Sequence, residues 1–134
     1  MKKLLVVVLF LVVCSGCTRF KSFGYEGFNR DRWQHPKRVI ESLQIDSGDH
    51  VVDLGAGGGY FTFKLADAVG KTGKVYAVDV EEDMTEYLKR LARKKGYSNV
   101  EVLLGKFDDP LLPDSLANLI VVSNTYHHLE NRVD

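Results

Sequence analysis

Between residues 50 and 124 the chain changes its hydrophobic period at regular intervals, and this alternation narrows the possible folds more than any other feature. "HVVDL" (50–54), "KVYAVDV" (74–80), "NVEVLL" (99–104) and "LANLIVVSN" (116–124) are short apolar runs bounded by turn residues, as buried strands are. Between them "YFTFKLADAVG" (60–70) and "DMTEYLKRLARKKG" (83–96) have helical spacing, and each closes on a glycine, Gly70 and Gly96. Strands that alternate with helices are joined by right-handed crossovers and lie parallel in one sheet. The expected class is therefore α/β with a mostly parallel sheet. In such sheets ligands sit at the carboxyl ends of the strands, near the point where strand order reverses.

Upstream of the first strand, Pro36 stands where a first helical residue belongs, and Val39, Ile40 and Leu43 make one apolar face before "DSGD" breaks the chain. Residues 36–134 are the expected domain. Residues 18–35, rich in aromatics, arginine and glycine without a sustained period, read as an extended lead-in packed over it. A length of 134 residues with 45% hydrophobic content suits one small domain with a modest core. The 18 basic residues are balanced by 18 acidic ones, so there is no surplus of cations for a general grip on nucleic acid, and no such partner is expected. Cys14 and Cys17 are the only cysteines; the folded part has no disulfide or thiolate metal site, and no metal is expected.

The first strand runs straight into "GAGGG" (55–59). Glycines after a strand let a ligand come close to the backbone. A dinucleotide loop would read G-x-G-x-x-G, but counting from Gly55 puts Tyr60 at the last glycine, and counting from Gly57 puts Thr62 there. No G-K-[ST] follows, so a Walker-type phosphate loop fails as well. The strand ends in Asp53, whose carboxylate would repel a pyrophosphate and attract a cation.

The pattern Asp53-x-Gly55-x-Gly57-x-Gly59 resembles the cofactor loop of class I S-adenosylmethionine-dependent methyltransferases. That cofactor carries an ammonium group and a sulfonium but no phosphate. Asp79, twenty residues past Gly59, stands where the family places an acid on the ribose hydroxyls, and a carboxylate can accept from both hydroxyls of a vicinal diol; the position equally suits a strand-end acid in a turn. "GKFDDPLLPDSLANLIVV" lines up with the family's third-strand loop and fourth strand, so the resemblance covers residues 36–130. It implies a Rossmann-like three-layer sandwich of strand order 3-2-1-4 and S-adenosylmethionine as cofactor. The implied cofactor site is Asp53, Gly55, Ala56, Gly57, Gly59, Asp79, Val80, Asp108 and Asp109.

Two residues depart from the family. Lys106 replaces an acid that accepts from the adenine amino group, and since lysine has no acceptor the role passes to Asp108 or Asp109. Either of these also suits an ordinary turn before Pro110. Asn118 replaces the acid of the fourth strand, at a position that supports structure more than chemistry. By the same resemblance acceptor contacts follow the fourth strand, at Asn124, Tyr126 and His127, joined by Tyr25 and Trp33 from the lead-in. His127 and His128 equally suit a helix start, and the two lead-in aromatics a place in the core.

The activity implied is methyl transfer to an unidentified acceptor, small-molecule or lipid-like, because residues 123–126 lack the N-P-P-Y type of motif that holds amino groups of nucleobases or amides. The sulfonium activates its own methyl, so no catalytic side chain is singled out. The alternative is an exported, non-catalytic domain that binds a nucleoside-like ligand or a protein partner. Family members continue with a fifth strand and an antiparallel closing pair, whereas this sequence stops at Asp134. The expectation is an incomplete sheet without its closing strands, weakly active at best and with its fourth strand an open edge.

Residues 1–17 are of another kind. Lys2 and Lys3 precede ten apolar residues (4–13), too few to span a bilayer, and then Ser15-Gly16-Cys17. The order resembles a bacterial lipoprotein signal, with Cys14 departing from the usual leucine. It implies removal of residues 1–16, lipidation of Cys17, and a membrane-anchored, exported protein on the periplasmic or outer cell-surface side. Expressed in bacteria, the chain is expected to partition into the detergent phase and to lack Met1 by mass spectrometry. Cys17→Ser is expected to abolish the partitioning, and partitioning that survives it would refute lipidation at this residue.

Overall fold

The computed structural model describes residues 30–123 and residue 125. Two short helices, α1 (Arg30–Gln34) and α2 (Pro36–Ser42), lead into β1 (His50–Leu54). Then follow α3 (Thr62–Val69), β2 (Lys74–Asp79), α4 (Glu82–Lys95), β3 (Val100–Leu104) and β4 (Leu119–Val122). The four strands are parallel in the order β3-β2-β1-β4, the α/β class and strand order that the sequence implies.

Strand register divides the side chains into two sets. Val51 pairs with Val75 and Ala77 with Val102, so these residues share one face. There Val51, Val75 and Val121 meet Leu65, Ala66 and Val69 of α3, with Val39, Ile40 and Leu43 at the α2 end packed against them. Ala77 and Val102 meet Leu88 of α4. On the opposite face Val52, Tyr76 and Val78 are covered by Leu112, Leu116 and Ala117. The layer on that side is an irregular segment between β3 and β4. Pro110 and Pro113 lie within it, and prolines so placed prevent a helix.

Local chemistry sets the element ends. α4 opens on Glu82 and Asp83 and closes on Arg93, Lys94 and Lys95, charges that complement its dipole. It stops where Gly96 takes φ 79, with the Gly96 N–H on the Arg93 carbonyl at 3.1 Å. α3 ends differently: the Asn99 side-chain amide donates to the carbonyls of Ala66 (2.8 Å) and Gly70 (2.9 Å), satisfying carbonyls that the last turn leaves open.

Residues 30–34 correct the extended reading of the lead-in, for they are helical. Arg30 Nε donates to Gln34 Oε1 at 3.1 Å, an i,i+4 tie, and His35 at φ 44 then breaks the turn ahead of Pro36. β4 is also shorter than the apolar run suggests. Ser115 at φ 60 turns the chain, and Leu116 and Ala117 go to the opposite face before the strand begins.

Asn118 ties the entry of β4 to β1. Its N–H donates to the His50 carbonyl and its Oδ1 accepts from the His50 N–H, both at 2.8 Å. The amide that replaces the family's acid therefore continues the β1–β4 pairing by one step. Asn118→Ala is expected to lower unfolding free energy in urea by about 1 kcal/mol, and Asn118→Asp, which keeps the acceptor, by less. Equal losses in the two variants would contradict this role.

Candidate functional site

Where β1 ends, the backbone turns across the end of β2. The N–H groups of Gly55 and Ala56 both donate to the Val78 carbonyl, at 2.8 and 3.0 Å. Gly57 N–H donates to Asp79 Oδ2 at 2.8 Å, while Glu81 N–H donates to Oδ1 at 3.0 Å. Asp79 thus holds the glycine loop with one oxygen and the entry to α4 with the other.

Two of the glycines in this loop have no room for a side chain. At Gly55 (φ 78) a Cβ would collide with the Thr125 side chain, and at Gly59 (φ 86) with Leu88 and Phe63. Both positions also lie in the left-handed backbone region, which a side chain disfavours. Gly59 lets α4 pack directly against the loop. Gly55 lets the segment after β4 close over it, with the Thr125 hydroxyl donating to the Ser123 carbonyl at 3.1 Å.

Asp53 is buried, 3% exposed, at the carboxyl end of the central strand. The Thr62 hydroxyl at the start of α3 donates to its Oδ2 at 2.6 Å. Burial pushes the Asp53 carboxyl up to about 6; the Thr62 hydrogen bond opposes this, the charge of Asp79 adds to it, and Arg30 opposes it. Asp53, Gly55, Ala56, Gly57, Tyr60 and Arg30 line a cavity of about 80 Å³, completed by Gly58, Phe61, Ser123 and Thr125. That volume is well below the roughly 300–1,000 Å³ of whole-ligand pockets, so the cavity accommodates one end of a ligand.

The other residues singled out in the sequence are placed as follows. Val80 is half-buried just after Asp79. Asp108 and Asp109 are exposed beyond β3, and Asp109 Oδ1 accepts from the Leu111 N–H at 2.7 Å within a turn. Trp33 is 64% exposed on α1 and does not line the cavity. Cys17, Tyr25, Asn124, Tyr126 and His127 lie outside the described residues. Among the described residues no cluster of His, Cys, Asp or Glu is arranged to hold a metal. No helix among them is long and apolar enough to cross a membrane.

Arg30, Tyr60, Thr62 and Thr125 were not anticipated as site residues. A hydroxyl at the first position of the helix after the glycines was a readable signal for Thr62. The others come together only through the fold.

The sequence pattern described as "Methyltransferase domain" matches residues 45–133. The chain belongs to the class I S-adenosylmethionine-dependent methyltransferase family. Within this family, protein-L-isoaspartate O-methyltransferase of Methanosarcina mazei is 39% identical over 66 residues, 49% of this chain and 27% of that protein. (S)-Coclaurine N-methyltransferase of Thalictrum flavum is 35% identical over 91 residues, 68% of this chain and 25% of that protein. The chain thus spans about a quarter of the length of these curated methyltransferases. Among solved structures, a SAM-dependent methyltransferase from Aquifex aeolicus superposes with TM-score 0.77 at 34% identity, covering 82% of this chain and 58% of that one. Coclaurine N-methyltransferase bound to N-methylheliamine and SAH gives TM-score 0.58 at 29% identity, over 66% of this chain and 26% of that one.

The buried acid makes a prediction about the methyltransferase domain itself. The folded Asp53 carboxyl titrates near 6 and its unfolded counterpart near 3.8. The folded state holds the proton more tightly, so this contribution is complete below about pH 4 and is lost as the pH rises through 6. The ligand-free domain should carry a penalty of roughly 3 kcal/mol at pH 7.5 that Asp53→Asn removes. Urea midpoints of both proteins at pH 4 and pH 7.5 should therefore diverge in favour of the variant at the higher pH. Parallel pH profiles would show that the carboxyl is not desolvated.

Proposed function

We propose that the chain binds S-adenosylmethionine along the carboxyl ends of β1 and β2 and transfers its methyl group to a small-molecule or lipid-like acceptor. The observation that carries this reading is the pairing of a side-chain-free backbone cradle with two carboxylates. Asp53 is buried beside it, and Asp79 is bound to its Gly57 N–H. Two acids beside a glycine loop disfavour a phosphate and suit a ligand with a cationic end and a diol.

The residues fit that ligand in separate roles. Asp79 uses one acceptor position on each oxygen for backbone N–H groups, and a carboxylate offers about four, so a vicinal diol can add to the set. Asp53 is placed to receive an ammonium group, whose charge would offset the burial of its own. Gly55, Ala56 and Gly57 let the ligand lie against backbone. When bound, the cofactor supplies an already activated methyl on its sulfonium. The protein's part is to position the two reactants and keep water out.

The two relatives named above each match only part of this chain and are named for different acceptors, one an O- and the other an N-methyltransferase. What they have in common with this chain is the family, and with it the cofactor role. The acceptor reading rests on a groove of about 350 Å³ walled by Val39, Leu43, Phe61, Ile120 and Val122, which touches the glycine-loop cavity through Phe61 and Ser123. An apolar groove of this size favours an apolar acceptor. A lipid on Cys17 would hold the domain at a membrane, where such acceptors are found. The same signal also favours a second reading, ligand binding without turnover, because the cofactor is made in the cytosol.

Calorimetric titration with S-adenosylhomocysteine, followed by methyl-transfer assays, separates the two. Asp79→Ala is expected to weaken S-adenosylhomocysteine by about 1–3 kcal/mol, and Asp79→Asn by less. Affinity should fall below pH 6, where Asp53 takes up a proton and ceases to attract the ammonium group. Unchanged affinity in a folded Asp79→Ala variant would remove Asp79 from the site.

A further inference from the structure

α4 carries more positive charge than its dipole accounts for. Arg93, Lys94 and Lys95 complement the helix C-terminus, but that effect fades within the last turn. Lys89 and Arg90 lie beyond it and extend the same charge toward the middle of the helix. Arg90, Arg93, Lys94 and Lys95 are exposed, and Lys89 is half-buried. By helical spacing Arg90, Arg93 and Lys94 form one outward stripe, opposite the buried Leu88 and Ala92. Lys95 turns toward α3, its Nζ 5.4 Å from the centroid of the Phe63 ring.

One acid of α4 lies among these cations. Glu86 accepts from Lys89 Nζ at 2.9 Å; that bond holds its carboxyl below the usual range, and the charges of Lys89, Arg90 and Arg93 add to the effect. Glu82 and Asp83 stand at the other end of the helix, because α4 runs from the carboxyl end of β2 back to the amino end of β3. The 18 basic and 18 acidic residues of the chain thus balance in number but not in place. Acids gather near the carboxyl ends of the strands, and cations cover the second half of α4. None of these cations lines the glycine-loop cavity or the apolar groove, so the ligand site does not account for them.

An exposed cationic helix face complements an anionic surface. From Arg90 to Lys94 the helix rises only about 6 Å. A patch so compact suits headgroups packed in a plane, whereas a grip on a duplex needs cations spread along many phosphates. Clusters of Lys and Arg on an amphipathic helix have this character toward anionic lipid. A lipid on Cys17 would bring the domain to a membrane without choosing which face meets it.

We propose that the outer face of the second half of α4, with Lys89, Arg90, Arg93 and Lys94, docks on an anionic phospholipid surface. The Cys17 reading supports the choice of partner, while the cations act through charge with or without that lipid. The proposal is independent of the S-adenosylmethionine reading.

The test is partitioning of the full chain onto vesicles, measured by sedimentation with pure phosphatidylcholine and with an equimolar mixture of phosphatidylcholine and phosphatidylglycerol. Each cation near an anionic surface contributes about fivefold to binding. Wild type should favour the anionic vesicles by on the order of 100-fold at low salt, and added salt should erase the preference. Arg90→Gln, Arg93→Gln and Lys94→Gln together should remove most of it. The same charge loss on α1 and α2, by Arg32→Gln, Lys37→Gln and Arg38→Gln, should leave it in place. Glu86→Gln, which removes the acid from the face, should raise the preference about fivefold, a gain in selectivity rather than a loss. Cys17→Ser should keep the ratio, so that failure of lipidation and failure of this proposal are read apart. Equal partitioning of wild type onto both vesicles, or a triple α4 variant that keeps the preference, overturns the proposal. So does a triple α1–α2 variant that loses as much, or a Glu86→Gln variant without effect, since the attraction would then not belong to this face. A short DNA duplex that displaces the chain from anionic vesicles at equal phosphate concentration would assign the face to nucleic acid and overturn the proposal as well.

Discussion

Three backbone donors of the glycine loop end on β2: two on the Val78 carbonyl and one on the Asp79 carboxylate. These bonds stitch the exit of β1 to the exit of β2, and the geometry of the site follows from them. Because the loop is held down, α3 starts directly above the central strand, where the Thr62 hydroxyl reaches Asp53. Because Gly59 has no side chain, α4 closes on the same loop through Leu88, the residue that also packs on Ala77 and Val102. Core and site are therefore one construction, and a side chain at Gly59 would disturb both.

Much of this is legible in the sequence. Strands with buried valines, helices that close on Gly70 and Gly96, and an acid at the end of β2 are local signals, and each appears where the periodicity puts it. Asp79 sits beside the glycine loop because parallel neighbours in register bring their carboxyl ends together. Local signals failed where a long-range contact decides. Nothing near Arg30 announces a helix, and the ring it stacks on is Tyr60, thirty residues away and beyond α2, β1 and the glycine loop. Thr125 meets Gly55 across a separation of seventy residues. The turn at Asp109 shows the opposite case, for its role as acceptor of the Leu111 N–H is local and was available as a turn signal before a proline.

Asp53 shows what the arrangement costs. A carboxyl at the end of the central strand is surrounded by core, and burial alone favours its protonated form. Thr62 and Arg30 offset part of that cost, and Asp79 adds to it. A neutral residue would suit the apo fold better. Retaining an acid here is explained if the protein meets a cation at this place, since the ion pair then offsets a burial that would otherwise only destabilise.

α1 links this electrostatic site to the apolar groove. Arg30, at its start, lines the cavity beside Asp53, and Gln34, at its end, lines the groove beside Val39 and Ile120. Phe61 and Ser123 border both spaces. In methyl transfer the two reacting atoms must come within about 3–3.5 Å, and misplacement by about 1 Å costs on the order of a hundredfold in rate. α1 meets Tyr60 through Arg30 and Asp31, meets Lys64 through Asp31, and borders both spaces, so its seating shapes the two together.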